Sequence, residues 1–214
     1  MNTLVSIADV LTHVPGIAPA RIRLLPHPGT ATVLDVQTIH DREDRLFELV
    51  DGILVEKLMG WRESVLAIAL AGLLREFVIK HNLGFVSGEA GMIRLFPGLV
   101  RIPDVAFVSW KRIPEGKAPT EAVPGLVPDL VVEVLSAGNS REEMTNKRQD
   151  YFRAGVTVVW EIDPNARTLS RYDGIQTVQL FHSDEIIVGD PVLPGFSFRL
   201  GELFQDLDRS APKA

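Results

Sequence analysis

Glu133 is a lone carboxylate in the apolar run Leu130-Val131-Val132-Glu133-Val134-Leu135, which otherwise has the composition of a buried strand. Burying an ionised carboxylate without a cation or several hydrogen-bond donors costs several kcal/mol. A second carboxylate, Asp104, stands in the comparably apolar segment Ile102-Pro103-Asp104-Val105-Ala106-Phe107-Val108. Two acids inside one sheet invite a metal, because hard divalent cations take oxygen ligands, usually one or two protein carboxylates completed by waters and substrate phosphates. The plain structural alternative is one Asp at a strand start and one Glu paired with an arginine, since ion-pair networks also perturb buried acids. Pro128-Asp129 repeats the pair Pro103-Asp104. Asp129 and Glu133 lie on one strand, however, with Cα atoms roughly 13 Å apart at about 3.3 Å per residue, too far to share an ion. A cross-strand partner is needed, which favours Asp104.

Other chemistries lose their usual support. The chain has no GxGxxG after a strand, no GxxxxGK[ST], no HExxH and no GxSxG. Its five histidines (His13, His27, His40, His81, His182) are scattered without ligand spacing. Cysteine is absent, which excludes disulfides and thiolate metal sites and fits a reducing cytoplasm. The opening MNTLVSIADV lacks the basic and apolar regions of a secretory signal, and the apolar stretch 65–74 is broken by Arg75 and Glu76 before it could span a bilayer. A cytoplasmic protein with no membrane partner is expected. The formal net charge of -6 argues against a basic surface all over, yet five bases (Arg94, Arg101, Lys111, Arg112, Lys117) face only Asp104 and Glu115 between positions 94 and 117. That local excess suits a phosphate-bearing ligand led to an acidic site, although such a run is also an ordinary solvated face.

At 214 residues with 46% hydrophobic content, the chain fits one domain with a real core. Residues 1–45 read as a short helical lead-in, 46–204 as the main domain and 205–214 as a tail. Leu46-Phe47-Glu48-Leu49-Val50, Asp51-Gly52 and Ile53-Leu54-Val55-Glu56 form a hairpin, since Asp-Gly supplies the positive φ angles of a tight turn. Residues 62–80 read as a helix apolar nearly all round and therefore buried. Strands are expected at 85–87, 91–96, 102–109 and 130–135. A helix over 139–154, opened by Ser140-Arg141-Glu142-Glu143 with capping-box spacing and closed at Gly155, leads to a strand over 156–162. Strand, helix and second buried strand make a βαβ unit with parallel strands. The fold class is α/β, with a mixed sheet flanked by helices.

Taken together, Pro103-Asp104, then Glu133-Val134-Leu135-Ser136, then Lys147 and Tyr151 on a helix, then Ala154-Gly155-Val156 and Val159-Trp160-Glu161-Ile162-Asp163-Pro164 resemble the Uma-two family of restriction endonucleases, assigned to the PD-(D/E)XK nuclease superfamily. The likeness extends back to Glu48-Leu49-Val50-Asp51-Gly52 and forward to Leu193-Pro194-Gly195-Phe196. It implies a restriction-endonuclease-like core, a Mg²⁺-dependent nuclease site in which Mn²⁺ substitutes, DNA as partner and a homodimer. Most members of the family are enzymes by prediction.

The superfamily signature expects a lysine two residues after the acid, and here that position is Leu135. Lys147 is the candidate replacement. On its helix it shares a face with Met144 and Tyr151, so it either points at the sheet or covers apolar surface with its stem while its amine reaches water. Glu63, near the head of the 62–80 helix, resembles the helix glutamate that joins the metal shell in some of these nucleases; the alternative is an N-terminal-turn acid favoured by the helix dipole. Glu48 alternates out of an apolar strand, and a solvent-facing role is the simpler account. Tyr151 and Trp160 read as core. The expectation is a metal-dependent endonuclease in which Asp104 and Glu133 hold Mg²⁺ and Lys147 stabilises the transition state. A non-catalytic DNA- or protein-binding member of the fold is the main alternative, and a hydrolase of a small phosphate compound is a third.

Overall fold

The computed structural model describes residues 6–210. Reciprocal capping boxes start both N-terminal helices: Ser6 with Asp9 on α1 (Ile7–His13), and Thr32 with Asp35 on α2 (Val33–Glu43). Between them lies β1 (Ile22–Arg23). The chain then turns through β2 (Phe47–Val50) and β3 (Ile53–Glu56), whose connecting residues Asp51 and Gly52 both have positive φ, at 49° and 78°. Helix α3 (Trp61–Lys80) follows, then β4 (Gly84–Ser87), β5 (Ile93–Phe96), β6 (Leu99–Arg101) and β7 (Val105–Ser109). The first sheet has the order β1-β3-β2-β6-β5, so the N-terminal stretch is joined to it through β1.

The expected strand over 102–109 is shorter: only Val105–Ser109 is strand, and residues 102–104 carry the chain from β6 in the first sheet to β7 in the second. Pro103 lacks an N–H to donate to a ladder, and the chain leaves the first sheet after Arg101 and enters the second at Val105. Asp104 therefore sits at the crossing. The second sheet continues with β8 (Leu130–Val134), α4 (Arg141–Ala154), β9 (Val158–Asp163), β10 (Thr168–Tyr172) and β11 (Val178–Phe181), in the order β11-β10-β9-β8-β7-β4. Strands β8 and β9 are parallel and joined by α4, as the βαβ pattern requires, and the other pairs are antiparallel. A small hairpin, β12 (Ile186–Val188) with β13 (Ser197–Arg199), leads into α5 (Leu200–Asp208).

Alternation along β8 divides its side chains between two cores. Leu130, Val132 and Val134 pack with Leu66, Leu70 and Leu74 of α3 and with Leu203 and Phe204 of α5. Val131 faces the other way, into a core with Ala106, Val159 and Tyr151 of α4 and with Ile93, Leu95 and Leu99 of the first sheet. Glu133 shares the face of Val131, because side chains two apart on a strand point the same way. Helix α3 is not buried all round. Ile68 and Ile79 are 71% and 58% exposed, since the sheet and α5 cover only the stripe of Leu66, Leu70, Leu74 and Val78.

Candidate active site

Val105 pairs with Val132 in the antiparallel ladder of β7 and β8, so one step further Asp104 comes opposite Glu133. Both carboxylates are buried, at 3% and 4% exposure. They are not bare. The backbone N–H of Val134 donates to Asp104 Oδ2 at 2.6 Å. The ammonium of Lys57 lies 2.5 Å from Asp104 Oδ1 and 3.8 Å from Glu133 Oε2, and it donates to the carbonyl of Ile102 at 2.7 Å. On the other side of Glu133, Lys147 Nζ stands 2.9 Å from Oε1, and the hydroxyl of Tyr151 donates to the same oxygen at 2.5 Å.

The sheet face and α4 create this meeting. Lys147 and Tyr151 are one turn apart on α4, and that stripe faces the sheet. Ser140 caps the helix by accepting from Glu143 N–H, but the reciprocal half of the box is missing because the Glu143 carboxylate takes Arg21 at 2.9 and 3.0 Å. That ion pair ties α4 to the residue just before β1.

Glu48 is not solvent-facing. It is 1% exposed and binds Arg101 at 2.7 Å, Lys147 at 3.2 Å and the N–H of Ile102 at 3.2 Å. The alternation on β2 is real, but the face opposite the Leu49 core is covered by α4, not by water. Burial opposes its charge, yet Lys147 and Arg101 outweigh that and hold the carboxyl well below its ordinary value. Burial likewise disfavours the Lys147 ammonium, and Glu133 and Glu48 overcome it, so its pKa is raised. The Tyr151 phenol is pushed well up by burial and by the neighbouring Glu133 and Glu48, which keeps it a donor. Arg101 also holds Asp150 of α4.

Asp104, Glu133, Lys147, Glu48 and Tyr151 are thus brought together. Glu63 is not brought to them: its carboxylate folds back over Gly60 at the head of α3, where an added Cβ would lie 2.2 Å from Oε2. Among the described residues no three His, Asp or Glu side chains form a metal cage, so the acid pair would rely on waters and ligand oxygens. Asp129 belongs elsewhere, bound to Arg112 and to the N–H of Ser109. Of the five bases near Asp104 in sequence, Arg101 is internal and Arg112 is paired, which leaves Arg94, Lys111 and Lys117 as the exposed ones.

Sequence reasoning missed Lys57 and Asp150, and it read Arg101 only as part of a basic run. Arg101 carried the same signal as Asp104, a lone charge in the apolar run Leu99-Val100-Arg101-Ile102. Lys57 follows a strand and precedes Leu58-Met59, and only the fold places it on acids far along the chain. Neither acid lines either of two polar clefts formed by neighbouring residues. A polar cleft of about 500 Å³ opens beside them, lined by Leu135, Ser136, Arg141, Arg148 and Glu161, and a second of about 270 Å³ touches Lys147 and Arg101.

Residues 33–201 match the family described as "Uma2: Putative restriction endonuclease". The chain belongs to this family. The Uma2 assignment agrees with a solved structure, described as that of "a putative nuclease belonging to DUF820 from Anabaena variabilis", which superposes with a TM-score of 0.66 at 21% identity over 76% of this chain and 91% of that one. At that identity the likeness establishes the fold alone, a mixed α/β fold. No match is found among curated proteins. Among the described residues no helix is long and apolar enough to cross a membrane.

Proposed function

We propose that this Uma2 protein is a Mg²⁺-dependent endonuclease hydrolysing DNA phosphodiester bonds, with Asp104 and Glu133 holding the ion. The observation that carries this reading is the convergence of Asp104 Oδ1, Glu133 Oε2 and the Ile102 carbonyl on one cationic point, marked by the Lys57 ammonium at 2.5, 3.8 and 2.7 Å. All three donors are oxygens, the ligands a hard divalent ion takes, and Mn²⁺ should substitute. When bound, such an ion polarises a phosphate and lowers the pKa of an attacking water. The chain's own residues do the rest. Lys147 and Tyr151 fix Glu133, and Lys147 supplies the positive charge that Leu135 does not, which stabilises charge developing on the phosphate.

A second reading, a DNA- or protein-binding member without catalysis, is favoured by one observation: the acids are buried and bridged by an ammonium. Titration calorimetry with Mn²⁺ on wild type, Asp104→Ala and Glu133→Ala, beside cleavage of plasmid DNA with Mg²⁺ or Mn²⁺, separates the two. Equal affinity in all three proteins defeats the shared site, and absence of cleavage on every DNA form leaves the binding reading. A homodimer is part of the proposal, since cutting both strands of a duplex calls for two symmetric sites. Light scattering at micromolar concentration tests it; a monomer that cuts both strands rejects it.

A further inference from the structure

We infer that Lys57 is a built-in competitor for the divalent ion: its ammonium occupies the cation position between Asp104 and Glu133 and must withdraw before the ion binds. This rests on the metal reading above. An ammonium and a divalent cation cannot share that point, because both would lie within contact distance of Asp104 Oδ1, where Lys57 Nζ already stands at 2.5 Å.

Charge balance favours the exchange. The inner cluster holds four acids, Glu48, Asp104, Glu133 and Asp150, against the three bases Lys57, Arg101 and Lys147, with Arg153 touching only the rim at 4.0 Å from Asp150. With Lys57 engaged the cluster is one charge short of neutral. With Lys57 withdrawn it is two short, which one divalent ion restores. No acid is then left unpaired, since Asp104 keeps the N–H of Val134, and Glu133 keeps Lys147 and Tyr151.

Lys57 is also the lysine that can leave. Lys147 is fixed in the middle of α4 and serves Glu48 as well as Glu133. Lys57 begins the irregular segment 57–60 between β3 and α3, next to Leu58, which is 55% exposed. Its backbone N–H is held by Leu46, but a four-carbon stem can swing its head to water without moving that anchor. The same withdrawal would uncover acids that are now buried.

The experiment is Mn²⁺ titration calorimetry, with thermal melts with and without Mn²⁺, on wild type, Lys57→Met, Lys57→Gln, Lys57→Arg and the double variant Lys57→Met/Asp104→Ala. If the withdrawn conformer is a minor state at the roughly 1–10% level, Lys57→Met binds Mn²⁺ about 10- to 100-fold more tightly than wild type. Mn²⁺ then also raises its melting temperature more. Lys57→Gln, which keeps a neutral hydrogen-bonding end, carries the comparison if the Met variant fails to fold without metal. Lys57→Arg should bind no more tightly than wild type, and the double variant should lose the gain. Equal or weaker binding by the neutral variants overturns the competitor role while leaving the metal site standing. No Mn²⁺ binding by any of the proteins overturns the metal reading and the competitor with it.

Discussion

Lys147 of α4 and Glu133 of β8 meet at 2.9 Å with both side chains almost wholly out of solvent. Leu135, two residues beyond the acid on its own strand, offers no charge, and the lysine that meets Glu133 comes instead from the adjoining helix. Because Lys147 also holds Glu48 at 3.2 Å, it links the two sheets as well as the site.

Lys147→Met should therefore act on stability and on catalysis together. It leaves two buried carboxylates short of a partner, a loss of about 3–5 kcal/mol. Metal-dependent DNA cleavage should fall roughly 10²-fold or more, the scale for losing one preorganised charge-stabilising donor. Denaturant melts read the first and single-turnover cleavage under folded conditions the second. Adding Leu135→Lys, on the strand face of Glu133 and beside the larger cleft, should return part of the activity. Full activity in Lys147→Met would refute the migrated-lysine role.

The network also fixes a pH dependence. Glu48 is depressed below its ordinary 4.5, so its contribution to stability is complete above about pH 4.5 and is lost as pH falls through its folded-state value. Lys147 is raised above 10.5, so its contribution is complete below that and is lost as pH rises through its folded-state value. Unfolding free energy measured by denaturant between about pH 3 and 7 should fall less steeply on the acid side in Glu48→Gln than in wild type. Parallel curves would show that Glu48 does not couple to folding.

The acid pair was legible in the sequence because a lone charge inside an apolar strand has few explanations, and distance along the strand then chose Asp104 over Asp129. The hairpin at Asp51-Gly52 and the cap at Ser140 were legible because they depend on local backbone chemistry. The burial of Glu48 was not, because a strand shows which residues share a face and not what covers that face. Lys57 was invisible for the same reason. Its partners come from the crossing between β6 and β7 and from β8, and nothing local distinguishes it from a surface lysine.

Gly52→Ala tests the hairpin that carries Glu48. Gly52 has φ 78°, its carbonyl accepts the N–H groups of Gly29 and Ala31, and a Cβ there would fall 2.5 Å from the Gly29 carbonyl carbon. The left-handed conformation alone costs a non-glycine residue about 1–2 kcal/mol, and the clash adds to it. A loss of at least that size is expected in chemical denaturation; a neutral effect would mean that the 29–31 loop yields freely.

Tyr151→Phe separates positioning from packing at the acid pair. The ring is 1% exposed and packed with Val131 and Val159, so the phenylalanine keeps the core and removes only the hydroxyl that donates to Glu133 Oε1 at 2.5 Å. A hydrogen bond to a charged group is worth about 1.5–3 kcal/mol, which sets the expected stability loss. If that hydroxyl also orients Glu133 toward the ion, Mn²⁺ affinity should weaken roughly 10- to 100-fold, as when the supporting partner of a metal ligand is removed. This is opposite in sign to the effect expected for Lys57→Met, although both substitutions remove one group from the same pair of acids. Weakened folding with unchanged Mn²⁺ affinity would assign Tyr151 to the core alone.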